Sequence, residues 1–240
     1  MSKLLLNTIT NGFIINKPIK LLVFDMAGTT VNEGGIIYDT LYQVMKEYNL
    51  NVTKEDKRKW YGRSKKEVMD DYFYKRYANR RDIVGLNYMK KELYNHFEIT
   101  LKKNYFLTSN ISLMDKKMPY LFNKIRENNI KIALNTGYNS EIQTSIIENL
   151  KMNEFIDDYV SSDDVPEGRP FPHMIYKLME KNNINNSCEV IKFGDTENDI
   201  LEGKSAKCYI SAGVLTGAGD VNMLNESDCI LNSVMDISLF

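Results

Sequence analysis

No run of about 18 apolar residues occurs in this chain, so no segment reads as a helix long enough to span a bilayer. The short Leu4-Leu5-Leu6 run near the start is too brief for the core of a signal peptide. An excess of charge of one sign is also missing. Thirty-one Lys and Arg stand against 32 Asp and Glu, a net charge of −1, and a chain so balanced has no global field to recruit nucleic acid or an anionic membrane. Cysteine is scarce: Cys188, Cys208 and Cys229 are odd in number and lack CxxC spacing, so they read as reduced, mostly buried thiols of a cytoplasmic protein. Histidine occurs only at positions 96 and 173, and no internal repeat or low-complexity segment is present.

What remains is ordinary globular material. With 240 residues, 43% hydrophobic and 26% charged, the chain has the size of one large domain or of a core with a smaller insert. Apolar runs at Lys20–Phe24, Ile130–Leu134, Tyr159–Val160, Val190–Phe193 and Cys208–Val214 read as strands. Helical periodicity separates several of them, at Met118–Asn128, Glu141–Leu150, His173–Lys181 and Asp199–Ser205. Strand alternating with helix predicts an α/β fold, a doubly wound, Rossmann-like parallel sheet whose right-handed crossovers bring every strand's carboxyl end to one edge.

The stretch from about Ile37 to Ser112 breaks that alternation. Its apolar residues recur at helical steps (Leu41, Met45, Tyr48; Val68, Tyr72; Leu86 through Leu93, Phe97 and Leu101), and no β-like run interrupts them. It is expected to be an inserted α-helical cap domain at 37–112, with 1–36 and 113–240 forming the core domain. An insert directly after the first strand can serve as a lid. Ahead of that strand, Asn11-Gly12 between β-branched residues is a hairpin signal.

The residues that carry chemistry fall at predicted strand ends. Asp25 closes the apolar run Leu21-Leu22-Val23-Phe24 and is followed by Met26-Ala27-Gly28-Thr29-Thr30. A carboxylate there is placed to act as nucleophile or metal ligand, because open α/β sheets bind ligands at the carboxyl edge. Thr136 and Gly137 follow the next strand and offer a hydroxyl and a backbone amide suited to phosphate oxygens. Arg169, in Glu167-Gly168-Arg169-Pro170, supplies a planar, permanently charged fork. Asp195 and Asp199 lie four residues apart where strand turns into helix, so both can face one cation, and hard oxygen ligands suit Mg²⁺. Gly62-Arg63-Ser64-Lys65-Lys66, in the insert, reads either as solvated surface or as a basic segment reaching an anionic substrate, with Ser64 placed to cap a helix.

Taken in order, Asp25, Thr136, Arg169 and Asp195 with Asp199 resemble the haloacid dehalogenase superfamily of Mg²⁺-dependent phosphotransferases. Two departures from that superfamily's usual pattern narrow the likeness. Ala27 stands where most members carry a second Asp, and Arg169 where most carry Lys. Together with Asp-Met-Ala-Gly-Thr-Thr, Gly-Arg-Pro-Phe-Pro-His and Gly-Asp-Thr, these departures resemble the phosphonatase (phosphonoacetaldehyde hydrolase) family. Lys65 falls where that family carries its Schiff-base lysine.

The resemblance implies Asp25 as nucleophile and an aspartyl-phosphate intermediate. It also implies Mg²⁺ held by Asp25, the Ala27 carbonyl and Asp195, with Asp199 as ligand or support, and a phosphoryl group cradled by Thr136, the Gly137 N–H and Arg169. A homodimer joined through the caps is implied in the same way.

Ala27 bears on the reaction type. A phosphate ester leaves as an alkoxide that needs a proton, and general acid help is worth roughly 10²–10⁴ in rate, so its loss disfavours ester hydrolysis. A carbon leaving group instead needs an electron sink, which an imine on Lys65 provides once that amine is neutral. Against this stands Val68, which occupies the position where the family carries a His that helps proton transfer. His173 reads as structural, and Tyr61 or water is left as the shuttle. The expected activity is therefore C–P cleavage of a small 2-oxoalkylphosphonate. The alternatives are a phosphomonoesterase resembling phosphoglycolate phosphatase, in which Lys65 merely grips substrate, and a silent phospho-ligand binder.

Overall fold

The computed structural model describes residues 9–10, 13–15, 18–105 and 111–239. The chain divides into two compact units, Met1–Asn32 with Ser112–Phe240, and Glu33–Ile111.

The first unit is built on a parallel sheet. Its strands are β1 (Ile9–Thr10), β3 (Leu21–Asp25), β6 (Lys131–Thr136), β7 (Asp158–Ser161), β8 (Val190–Gly194), β9 (Ile210–Val214) and β10 (Cys229–Leu231). They lie in the order β1-β10-β9-β8-β3-β6-β7, every neighbouring pair parallel. Every residue of β3 is buried, as an unbroken apolar strand in the middle of a parallel sheet requires.

Alternate side chains of β3 serve opposite faces. Leu21 and Val23 pack with Met174, Ile175 and Leu178 of α7 (His173–Lys181), whereas Phe24 stacks on Phe122 of α5 (Met118–Glu127) and on Phe193, each at 4.8 Å between ring centroids. Each such side chain contributes about 1.5–3 kcal/mol of transfer free energy. Two further helices, α6 (Ser140–Asn149) and α8 (Glu197–Ser205), begin with capped turns: Asn139 accepts from the Ile142 N–H, and Thr196 forms a capping box with Asp199.

This topology positions the site. From β3 the chain runs outward through β6 and β7, then returns to β8 on the other flank of β3. The reversal of winding at β3 opens a crevice at the carboxyl ends of β3, β6 and β8.

The unit at Glu33–Ile111 is helical, comprising α1 (Ile36–Glu47), α2 (Lys57–Trp60), α3 (Lys65–Tyr77) and α4 (Ile83–Lys103). Leu41 and Met45 of α1, Val68 of α3, and Leu93, Phe97 and Leu101 of α4 are buried, the stripes that helical periodicity picks out. Asp82 caps α4 by accepting from the Gly85 N–H, and the Tyr105 hydroxyl bonds Glu33. Ser64 occupies the N-cap position of α3, but its side chain makes no capping bond.

Of the N-terminal segment, the structure describes the two short strands that flank the hairpin signal, and each pairs elsewhere. Strand β1 adds to β10, and β2 (Phe13–Ile15) pairs in parallel with β11 (Ile237–Leu239) in a separate two-stranded sheet; Asn11 and Gly12 lie outside the described residues. An open parallel edge with unpaired N–H and C=O groups competes with local pairing, and here it prevails. The antiparallel pair β4 (Val31–Asn32) and β5 (Ser112–Leu113) joins the two chain segments that flank the helical unit. Cys229 is buried, Cys208 half-buried and Cys188 exposed, all as free thiols. Burial pushes the thiols of Cys208 and Cys229 up to about 12, which leaves them unreactive.

Candidate active site

Asp25 is the last residue of β3, with its carboxylate 4% exposed at the crevice. The chain then turns tightly: the N–H groups of Thr29, Thr30 and Val31 point at the Met26 carbonyl, and the Thr30 hydroxyl donates to the Asp25 carbonyl at 2.9 Å. Gly28 adopts φ 86°, a left-handed conformation that a side chain would strain, and a Cβ there would come within 2.5 Å of Asp195 Oδ2.

Asp195 follows β8. Its Oδ2 accepts from the Ala218 N–H at 2.7 Å, and its Oδ1 accepts from the Thr29 hydroxyl at 3.3 Å. A Cβ on Gly217 would collide with the same carboxylate, so the 216–219 loop closes on Asp195 only because glycine stands there. The Thr216 hydroxyl donates to the Gly28 carbonyl at 2.6 Å and ties the two loops together.

Asp199 is the third residue of α8. Its Oδ2 takes the capping-box bonds of Thr196, while its Oδ1 pairs with Arg169 at 3.1 Å and Lys192 at 2.9 Å. Arg169 is 2% exposed and held wholly by protein acceptors. Nη1 donates to Asp25 Oδ1 at 2.8 Å, Nε to Glu202 Oε2 at 3.0 Å, and Nη2 to the carbonyl and side-chain oxygens of Asn135 at 3.0 and 2.7 Å. A fork expected to grip a phosphoryl group is therefore turned on the protein's own acids. Thr136 closes β6 and accepts from the Tyr138 N–H at 3.3 Å, with Gly137 buried beside it.

The electrostatics of the cluster favour a cation. Four buried carboxylates (Asp25, Asp195, Asp199, Glu202) face two buried cations, Arg169 and Lys192. Burial raises Asp25 to about 6, against the pull of Arg169 and Lys192. Burial, then the charges of Asp25 and Asp199, push Asp195 well up. Asp199 goes the other way: Arg169 and Lys192 outweigh its burial and hold it below the usual carboxylate range. Asp25, Asp195 and Asp199 each bring a carboxylate oxygen within 4.8 Å of the others'. An all-oxygen donor set with surplus negative charge fits Mg²⁺.

Lys65 belongs to the helical unit, as the first residue of α3. It is 7% exposed, donates to the Arg63 carbonyl at 2.8 Å, and lies 4.8 Å from the ring centroid of Tyr38. Tyr38 meets Tyr61 edge to face at 4.8 Å and accepts from the Gly62 N–H, so the 61–64 loop packs beside the lysine. Arg63 turns to Asp71 at 2.8 Å. Val68, at the position where the phosphonatase family carries a His, is fully buried. His173 stacks on Phe171 and meets Glu167 at 3.3 Å, consistent with a structural role.

Three participants escaped the sequence reading: Lys192, Glu202, and Asn135 in its role as an acceptor for Arg169. A signal for two of them existed. Lys192 interrupts Val190-Ile191-Phe193 in a strand buried on both faces and so demands an acid, and Glu202 lies one helical turn beyond Asp199 on the same face.

A family model of haloacid dehalogenase-like hydrolases matches residues 22–212. The chain belongs to that family, and it is a hydrolase. Within the family its curated relatives include the phosphonoacetaldehyde hydrolase of Parabacteroides distasonis, 30% identical over 88% of this chain and 81% of that protein. The bifunctional phosphonoacetaldehyde hydrolase/aminoethylphosphonate transaminase of Clostridioides difficile is 28% identical over 89% of this chain, which spans only 34% of that protein's length. Among solved structures, a phosphonoacetaldehyde hydrolase-like protein from Oleispira antarctica superposes with a TM-score of 0.72 at 20% identity, covering 95% of this chain and 93% of that one. Among the described residues no helix is long and apolar enough to cross a membrane.

Proposed function

We propose that this hydrolase cleaves the C–P bond of phosphonoacetaldehyde or a closely related 2-oxoalkylphosphonate. The observation that carries the reading is Lys65, a lysine sheltered against an aromatic ring in a chain whose nucleophile loop has Ala27 in place of a general acid. Curated relatives that bear the name phosphonoacetaldehyde hydrolase support it.

In this scheme the neutral amine of Lys65 condenses with the substrate aldehyde and releases water. The imine takes up a proton, Asp25 attacks phosphorus, and the C–P electron pair passes into the protonated imine to give a neutral enamine. Protonation of the enamine and hydrolysis return acetaldehyde and free Lys65, while water cleaves the aspartyl-phosphate to inorganic phosphate. Asp25, Asp195 and the Ala27 carbonyl would hold Mg²⁺, with Asp199 supporting from behind; the ion, when bound, offsets repulsion between carboxylate and phosphoryl oxygens. Thr136 and the Gly137 N–H are assigned to the phosphoryl oxygens. Arg169 keeps the attacking carboxylate oriented and ionised.

Borohydride trapping with phosphonoacetaldehyde, read by mass spectrometry, tests the scheme. A reduced adduct on Lys65 is expected. Its absence, with Mg²⁺-dependent phosphate release from esters, would make the protein a phosphomonoesterase. The Lys65→Arg variant should lose C–P cleavage while retaining any hydrolysis of activated phosphate esters, measured as phosphate release.

A further inference from the structure

Beneath the nucleophile lies a charged network that the scheme above leaves without a task. Glu202 and Lys192 are both 0% exposed, on α8 and β8 respectively. The side-chain amide of Asn135 donates to both Glu202 oxygens, at 2.8 and 2.9 Å, and its oxygen accepts from Lys192 Nζ at 2.7 Å. Lys192 also pairs with Asp199 at 2.9 Å and Glu202 at 3.4 Å. Glu202 takes the Nε–H of Arg169 at 3.0 Å, and Asn135 takes the Nη2 donors. Two edges of the guanidinium, Nε and Nη2, are thus held by the network, and Nη1 is directed at Asp25 Oδ1, 2.8 Å away, with Asp199 Oδ1 at 3.1 Å.

We propose that Glu202 and Lys192 are positioning residues for the hydrolytic reaction, acting through Arg169 to hold the Asp25 carboxylate in its attacking orientation. The proposal rests on Asp25 being the nucleophile and is independent of Lys65 chemistry. Stability alone is a weak reason for such a network, since desolvation offsets most of what buried ion pairs gain, and well-packed apolar residues often serve as well. Orientation is a better one. A planar guanidinium has five donors in fixed geometry, so anchoring its Nε and Nη2 edges determines where Nη1 points. Glu202 also separates two cations, Arg169 and Lys192, that would otherwise face each other around Asp199.

The test uses the full chain with Mg²⁺ and p-nitrophenyl phosphate, whose leaving group needs neither a proton donor nor an imine. Glu202→Gln removes the charge and keeps the shape. A misdirected nucleophile costs on the order of 10² in rate, so kcat should fall about 100-fold while KM moves less than about threefold. Lys192→Met should act alike, and the double variant should lose less than the product of the two single losses, because the charges are removed as a pair. An unchanged kcat, or a raised KM at constant kcat, would overturn the proposal. Should Glu202→Gln fail to fold, Glu202→Asp retains the charge and is expected at an intermediate kcat; wild-type kcat there would count against it. A crystal structure of the variant supplies a readout free of activity. Departure of Arg169 Nη1 from Asp25 Oδ1 supports positioning even if the wild type proves inert toward phosphate and phosphonate, whereas an unmoved contact refutes it even if the hydrolase assignment stands.

Discussion

Replacing Asp25 by Asn should make the metal-free protein more stable while abolishing its hydrolysis. Asp25 sits 4% exposed with its carboxyl raised from 3.8 to about 6, chiefly by burial. A group whose folded pKa lies above its unfolded value binds its proton more tightly in the native state. Its contribution is therefore complete below pH 3.8 and is lost as the pH rises through about 6. Roughly two units at about 1.4 kcal/mol each give a loss near 3 kcal/mol by pH 7. Asparagine mimics the protonated acid and still accepts from Arg169, so it escapes that loss. For a chain of this size about 3 kcal/mol corresponds to roughly 6–12 °C in Tm.

Thermal melts in EDTA at pH 8 and pH 4 provide the assay. The variant should melt above the wild type at pH 8, and the gap should close at pH 4. Adding Mg²⁺ at about a hundred times its Kd should raise the wild type by about 2.7 kcal/mol and narrow the gap at pH 8. Equal melting in EDTA at pH 8, or a less stable variant, would refute the claim that this carboxylate is ionised at a cost in the metal-free fold.

The remaining predictions concern the supports of the site and the packing. Gly217→Ala places a methyl group against the buried Asp195 carboxylate, so the loop must shift: the EDTA melt should fall, and Mg²⁺ affinity, followed by calorimetry, should weaken at least tenfold. Phe122→Ala removes the ring stacked on Phe24 and should cost about 3–5 kcal/mol in denaturant unfolding. In the helical unit, hydrogen bonds from Lys59 and Thr53 lower Asp56 to about 2. Asp56→Asn should destabilise that unit above pH 4, and the difference should fade as the pH falls from 3.8 toward 2, measured by hydrogen exchange across α2.

Much of the molecule was legible in the chain itself. An unbroken apolar run ending at Asp25 specifies a central parallel strand, because a strand covered on both faces has no polar alternation to show. The helical insert was equally readable, since Leu93, Phe97 and Leu101 repeat at the step of one helix face. The candidate acids could be named because Asp25 and Asp195 stand at or just past the ends of such strands and Asp199 in the first turn of the helix that follows, where a parallel sheet gathers its loops on one edge.

Tertiary structure decided the partnerships. Arg169 meets Asn135 34 residues away, Glu202 33 residues away and Asp25 144 residues away, separations at which no sequence periodicity survives. The N-terminal segment went to the free edges of β10 and β11 rather than to a local hairpin, because long-range ladders offered it backbone partners that local spacing does not reveal. Local pattern determines which faces are apolar and where strands stop. Which buried charge neutralises which depends on distance through a low-dielectric interior, and only the folded chain sets that distance.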